Sequence, residues 1–435
     1  MTSTRIEGGT VVIDGATVTD APIHVDDGQI ASAAPPDGPG EVIDASGCVV
    51  TAGLINAHHH LLQSAFRTLP GTRFAVMSDW LAQMSAAYGR LRVDPELGAA
   101  AARVGLAESL LCGVTTVADH HLTWPDGIDP VELAGATIES AAGVGARLVF
   151  VRGTARDDPA TAAESIAAIH DTYLPGSHGG ISDDGKLQLA VGPSGVHADG
   201  PETFAALREV AMSLGLRRRT QANEQVDVAI AADRYGRRPL ELLDEWGWLE
   251  PGVTVAHLCE ITDGEIDMLA ARGVTATHAP GCDVPMGWGI APVASLLRAG
   301  VPVGMGTSGG GSNDGGHLLA DARLAMQVSG LVGDPVSGGT LLGMCTEGSA
   351  QGLGRTDIGH LRPGAAADLC IWDCDDVFDA GVADRIEGLL WASPGRRPRD
   401  VMVAGRWVVR DGHLVSDDSR AAAHELTALI DSRSG

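Results

Sequence analysis

Three consecutive histidines close the apolar run VVTAGLINAHHH, and the outer two, His58 and His60, stand two residues apart. In an extended segment such side chains point the same way, so the two imidazoles can share one metal ion while His59 points elsewhere. Two later runs also finish on histidine, His257 in VTVAHLCE and His278 in VTATHAPG. A lone histidine is more often a satisfied polar group than a ligand. Brought to the same place as His58 and His60, however, His257 reads as a further ligand and His278 as a substrate or water contact. Glu224, in LRRRTQANE, is a carboxylate whose pKa an apolar barrel mouth would raise, fit to carry a proton to a leaving group. The bland reading of the same residue is a carboxylate at the start of the following helix.

Eight runs have strand character: VVTAGLINAHHH, GVTTVADHH, ARLVFVRGT, LQLAVGPSG, LRRRTQANE, VTVAHLCE, VTATHAPG and VPVGMGTSG. Between them lie Ala-, Leu- and Glu-rich helical stretches such as LGAAAARVGLAESLLCG and ETFAALREVAMSLG. Alternating β and α elements imply a parallel sheet, and eight strands close a (β/α)8 TIM barrel of the α/β class. Nearly all the runs start apolar and end on His58 and His60, His120 and His121, Arg152, Ser194, Gln221 and Glu224, His257, His278 or Ser308. In a barrel those C-terminal strand ends converge on one face. Short β-branched runs separated by Gly and Asp turns fill residues 5–50 and return in AADLCIWDCD, DVMVAGRWVV and RDGHLVSDD. The two ends are expected to pair as one small β-domain, residues 1–52 with 361–418, beside a barrel over 53–360 and a closing helix over 419–435.

The formal net charge of −26 would repel phosphate backbones and anionic lipid, so neither nucleic acid nor membrane is an expected partner. Seven scattered cysteines without a C-x-x-C pair read as reduced thiols, and no leader or long apolar span is seen; a cytoplasmic protein is expected. GGGSNDGG lacks the Gly-Lys-Ser/Thr of a phosphate loop.

The stretches GLINAHHHLLQS, AESLLCGVTTVADHHL, QANE, VAHLCE, THAPGCDVPMGWGIAP, VPVGMGTSGGGSNDGGHLLADAR and LRPGAAADLCIWD span nearly the whole chain. They resemble the amidohydrolase superfamily, and within it the branch of triazine hydrolases, atrazine chlorohydrolase and 8-oxoguanine deaminase. The resemblance implies a composite β-sandwich from both termini beside a distorted barrel, one metal such as Zn²⁺ at its mouth, and a homodimer. Family metal positions map onto His58, His60, Gln221, His257 and Ser308. The family's fifth-strand motif H-x-H-x-x-E reads Arg219-Thr220-Gln221-Ala222-Asn223-Glu224 here, so an amide replaces a ligand histidine, and Ser308 replaces the eighth-strand aspartate. Triazine hydrolases carry threonine at the latter position and use the fifth-strand glutamate for acid–base work. Catalytic roles then fall to Glu224, His257, His278 and Ser308. Gln63, His121, Asn313 and Asp314 match substrate-facing positions, and Trp80, Trp124, Met286 and Trp288 beside the motifs suit stacking on a flat ring.

The leading reading is metal-assisted hydrolytic displacement of an exocyclic amino or halide group from a triazine-, purine- or pterin-like ring, with a deaminase or a chlorohydrolase as the two outcomes. Arg219 and Gln221 motivate a second, in which a guanidinium takes the cation's place, binds an anionic substrate, and the barrel works as a metal-independent lyase, cyclase or tautomerase. A third is a catalytically silent ligand-binding barrel.

Overall fold

The computed structural model describes residues 3–35, 38–416 and 418–434; the remaining positions of the expected terminal segments, 1–2, 36–37, 417 and 435, lie outside the described residues. Parallel pairing of the eight runs gives the barrel strands β1 (Leu54–His60), β2 (Val114–His121), β3 (Arg147–Thr154), β4 (Leu187–Pro193), β5 (Arg217–Ala222), β6 (Val253–His257), β7 (Thr275–His278) and β8, which is split into Val303–Met305 and Ser308–Gly309. The first half of β8 pairs with β7 and the second with β1, which closes the ring. At the break, Gly306 N–H donates to His278 O (2.9 Å) and Thr307 N–H to His58 O (3.1 Å). Only glycine fits there, because a Cβ on Gly306 would stand 2.8 Å from the His58 Cβ.

VVTAGLINAHHH, expected as one strand, is two. Cys48–Ala52 belongs to the terminal sheet and β1 starts at Leu54, because the chain must cross from one sheet to the other where it brushes β2; a Cβ on Gly53 would lie 2.3 Å from Thr115 Oγ1. Within β1 the register against β2 shifts between Asn56 and His59. This bulge lets Ile55 below it and His58 and His60 above it all face the lumen.

Low in the lumen, Ile55, Ala118, Val149, Val151 and Ala190 pack with Ala350, Leu353 and Ile358 into an apolar plug. The strands therefore run from an apolar floor to a polar mouth. Outside, the helices bury their apolar faces against the strands' outer side chains, including Val117, Leu148, Phe150, Leu189 and Val191.

Both termini build the sandwich. A seven-stranded sheet joins Thr10–Val12, Val18–Thr19 and Cys48–Ala52 to Leu369–Asp373, Asp400–Val403, Arg406–Arg410 and His413–Leu414, with Cys48–Ala52 antiparallel to Leu369–Asp373. A four-stranded sheet of Thr4–Glu7, Ile23–Asp26, Gln29–Ala31 and Glu41–Asp44 faces it over Ile6, Val25, Val50, Ile371 and Met402. The sandwich is tied to the barrel by the buried Arg147 of β3, whose guanidinium grips Asp368 at 2.6 and 3.0 Å. Helix Ser419–Ser434 lays Leu426 against helices Met77–Leu91 and Pro95–Leu111. Among the described residues no helix is long and apolar enough to cross a membrane.

Candidate active site

His58, His60, His120 and His257 meet at the barrel mouth. The His58 ring centroid lies 4.9 Å from that of His60, 5.2 Å from His257 and 5.7 Å from His120, and His60 stacks on His120 at 5.9 Å. All four are buried. His60 Nδ1 is 2.7 Å from His120 O and so carries the proton, which leaves Nε2 as a free lone pair. His58 Nε2 has no partner among the described residues. His59 faces the other way, with Nδ1 on Ser308 O (2.5 Å) and Thr307 Oγ1 (2.9 Å). Burial, reinforced by the neighbouring imidazoles, drives His58 well below the ordinary histidine range; burial takes His60 down to about 4 and His120 to about 3. These rings are held neutral, the state a metal ligand requires.

Glu224 and Asp283 flank His257. Asp283 Oδ1 is 2.9 Å and Glu224 Oε1 3.8 Å from His257 Nδ1. Burial alone would depress His257, but the two carboxylates outweigh it and hold it up at about 9. Burial pushes Glu224 up to about 7, against the pull of His257. Glu224 occupies the N-cap position of helix Gln225–Tyr235 without capping it, so its carboxylate stays free for the cavity. The peptides that aim these groups are left-handed at non-glycine residues: Asn223 (φ 54°), His257 (φ 72°), Leu258 (φ 64°) and Ser308 (φ 53°). Each such residue costs on the order of 1 kcal/mol, strain that clusters where function needs it.

A cavity of about 770 Å³ opens above the histidines, lined among others by His60, Gln63, Trp80, His121, Gln221, Glu224, His257, Trp288 and Ser308. Trp80 and Trp288 meet edge to face at 5.4 Å and form one wall. Gln63 lines the cavity with its amide already used, accepting from Gly311 N–H and donating to Tyr88 Oη. His58 forms part of the floor beneath.

Five expected contacts stand outside this lining. Asn313 donates to Thr307 O and Asp321, and Asp314 pairs with Arg73 at 2.6 Å, so both fasten the loop after β8. Met286 packs behind Trp288 with Met77 and Cys282. His278 is buried at the end of β7 with Nδ1 unpartnered. Arg219 points into the lumen under the floor, donating to Ala57 O and Thr277 Oγ1, with Nη1 unpartnered. Arg152 and Arg218 turn outward, Arg152 to Asp157 and over Trp124, Arg218 to Glu250.

Several residues at the site carried no distinctive pattern in the sequence: His120 within the floor, Asp283 behind His257, Asp119, which accepts from Leu61 N–H at 2.7 Å, and His197 in the cavity wall with Asp227 bonded behind it. A strand-end position was the only signal for His120 and Asp119; the others lie in loops or helix starts where no period marks them.

A family profile for amidohydrolases matches residues 49–408. The 8-oxoguanine deaminase of Pseudomonas aeruginosa is 33% identical over 406 residues, covering 88% of this chain and 89% of that protein. The chain belongs to the amidohydrolase family. A 5-methylthioadenosine/S-adenosylhomocysteine deaminase of Natronomonas pharaonis is 32% identical across 98% of this amidohydrolase and 96% of its own length. The crystal structure of an atrazine chlorohydrolase from Arthrobacter aurescens TC1, complexed with zinc, superposes with a TM-score of 0.90 at 32% identity, covering 98% of this chain and 100% of that one. The protein is thus a hydrolase, with relatives named for deamination and for removal of chloride from heterocycles.

The imidazoles of His58, His60 and His257 at the floor of this amidohydrolase have the donor chemistry that a zinc-like ion takes, and His257, held up at about 9, would give up its Nε2 proton to join them. His58 brings an orphaned buried Nε2, His60 a free Nε2, and His257 a ring whose Nδ1 is held by a carboxylate, the usual support for a ligand histidine. Three histidines with one open position make a sound catalytic zinc site. Gln221 and Ser308 offer only neutral oxygen. Cys282, which lies with His257 and Asp283 in a tight buried cluster, is kept a thiol by burial and by Asp283.

Proposed function

We propose that this amidohydrolase displaces an exocyclic amino or halide group from a small nitrogen heterocycle, triazine-, purine- or pterin-like, with His58, His60 and His257 holding one metal ion and Glu224 moving the proton. When bound, the ion supplies the Lewis acidity that makes water nucleophilic near neutral pH. The observation that carries the reading is Glu224: a buried carboxylate that accepts no hydrogen bond among the described residues, faces the cavity, and stands beside His257. Trp80 and Trp288 flank the ring and keep bulk water from it. Glu224 takes a proton from the attacking water as the new C–O bond forms. It returns that proton to the departing nitrogen as the C–N bond breaks and ammonia leaves; a halide leaves as the anion, and the proton passes to solvent. Glu224→Gln should lower kcat by about 10²-fold or more while heterocycle binding persists. Unchanged turnover would remove Glu224 from the chemistry.

Arg219 favours one competing reading, a metal-independent acid–base enzyme on the same scaffold. Its guanidinium is buried in the lumen without a carboxylate partner among the described residues, a fixed charge near His58 and His120. Turnover by metal-free protein would establish that alternative. The assembly we propose is a homodimer, checked by sedimentation equilibrium.

A further inference from the structure

His197 lies on the loop leaving β4, and Asp227 in the first turn of the helix leaving β5. The chemistry above uses neither. Asp227 is fully buried and its Oδ1 accepts from His197 twice, from Nδ1 at 2.6 Å and from the backbone N–H at 3.2 Å. The loop is shaped for this contact. Gly195 has φ +153°, and a Cβ there would stand 2.8 Å from His197 Nδ1 and 2.9 Å from Asp227 Oδ1.

With Nδ1 committed, Nε2 is the ring nitrogen left without a partner among the described residues, and His197 lines the cavity. The second oxygen of Asp227 is also buried without a partner, so among the described residues His197 alone compensates that carboxylate by direct contact. Burial opposes charge on His197, but Asp227, with Glu224 and Asp199 behind it, outweighs burial and holds the ring above the ordinary histidine range. An imidazolium has two N–H donors and no acceptor. One is spent on Asp227, and the other makes its strongest charge-assisted bond with a lactam oxygen, a better acceptor than the nitrogen of an electron-poor ring. A substrate amino group presented there would meet donor against donor.

We infer that His197, fixed by Asp227, reads a ring oxygen, so that the substrate is a heterocycle carrying an oxo group in addition to its leaving group. This rests on the reading under Proposed function and narrows its substrate class. Of the general chemistries that reading allows, lactam-bearing purines and pterins satisfy the donor best, whereas triazines bearing only amino, alkylamino and halide groups offer it only electron-poor ring nitrogens.

Purine and its 2-, 6- and 8-oxo derivatives test this directly, because each differs by one ring oxygen and has no amino group to lose. Their dissociation constants can be read from quenching of tryptophan fluorescence, since Trp80, Trp124 and Trp288 line the cavity. At least one oxo isomer should bind the native protein about tenfold or more tighter than purine, as a charge-assisted hydrogen bond would give. That preference should shrink to about twofold in His197→Phe and in the isosteric Asp227→Asn, the ratio being insensitive to general loss of stability. Purine binding as tightly as every oxo isomer, or a preference that survives both substitutions, would overturn the inference and leave the proposed reaction standing. Binding of none of the four, nor of pterin, would overturn this inference, and failure of 2,4,6-triamino-1,3,5-triazine to bind as well would overturn the heterocycle reading itself.

Discussion

On β2 two adjacent histidines face opposite ways. His120 enters the barrel with Nε2 on Gly192 O (2.8 Å), and His121 turns toward Trp124 and Phe150, its Nε2 on Thr123 O (3.0 Å). Burial depresses His121 to about 4 from an ordinary 6.5. Between those values the unfolded chain binds a proton that the folded chain refuses, so stability rises with pH across the window and is lost as pH falls through it. Each pH unit below 6.5 should cost about 1.4 kcal/mol through this group until pH approaches 4. Denaturant unfolding of His121→Gln between these pH values should show a slope flatter by about one proton; an unchanged slope would contradict a buried neutral His121. Gln221, in the cavity lining, is the other telling residue. Gln221→His should add a fourth imidazole to the three proposed ligands and strengthen metal retention by about tenfold or more in chelator competition, whereas no change would place that side chain away from the ion. The motif H-x-H was readable because period two needs only the local chain. Which of His120 and His121 faces inward was not, because the pairing of β2 with a bulged β1 decides it.

The eight strands were legible because nearly all run from apolar to polar, which is what a plugged floor and an open mouth demand. What escaped were events set by contact between distant segments. The division of VVTAGLINAHHH at Gly53 follows from Thr115, and the break in β8 from His58, each supplied by another strand. The loop GGGSNDGG similarly yielded Asn313 and Asp314 as substrate contacts, yet Arg73 and Asp321, far off in sequence or on the next helix, claim both. At this scale Arg147 is the joint between β3 and the sandwich. Its partner Asp368 also accepts from Ala404 N–H at 2.7 Å, so one carboxylate ties three segments. Arg147→Ala would leave that carboxylate buried without its cation and should cost about 3–5 kcal/mol, seen as a lower midpoint in chemical denaturation. A loss of less than about 1 kcal/mol would show that the pair contributes no more than a surface ion pair.

Across the whole molecule, the barrel converges its strand ends on one face, the sandwich stiffens the base through β3, and the cavity rests on a floor of neutral histidines. A zinc-complexed atrazine chlorohydrolase shares this fold, and a deaminase aligns over most of the chain, while Gln221 and Ser308 depart from the ligand residues that the family resemblance implies. The central claim is that three imidazoles suffice to hold the ion. Elemental analysis of the purified, folded protein, beside His60→Ala, tests it most directly. One equivalent of zinc or a similar ion per chain, lost in the variant together with turnover, is the predicted result; a native protein that turns over a heterocycle with no metal bound would contradict it.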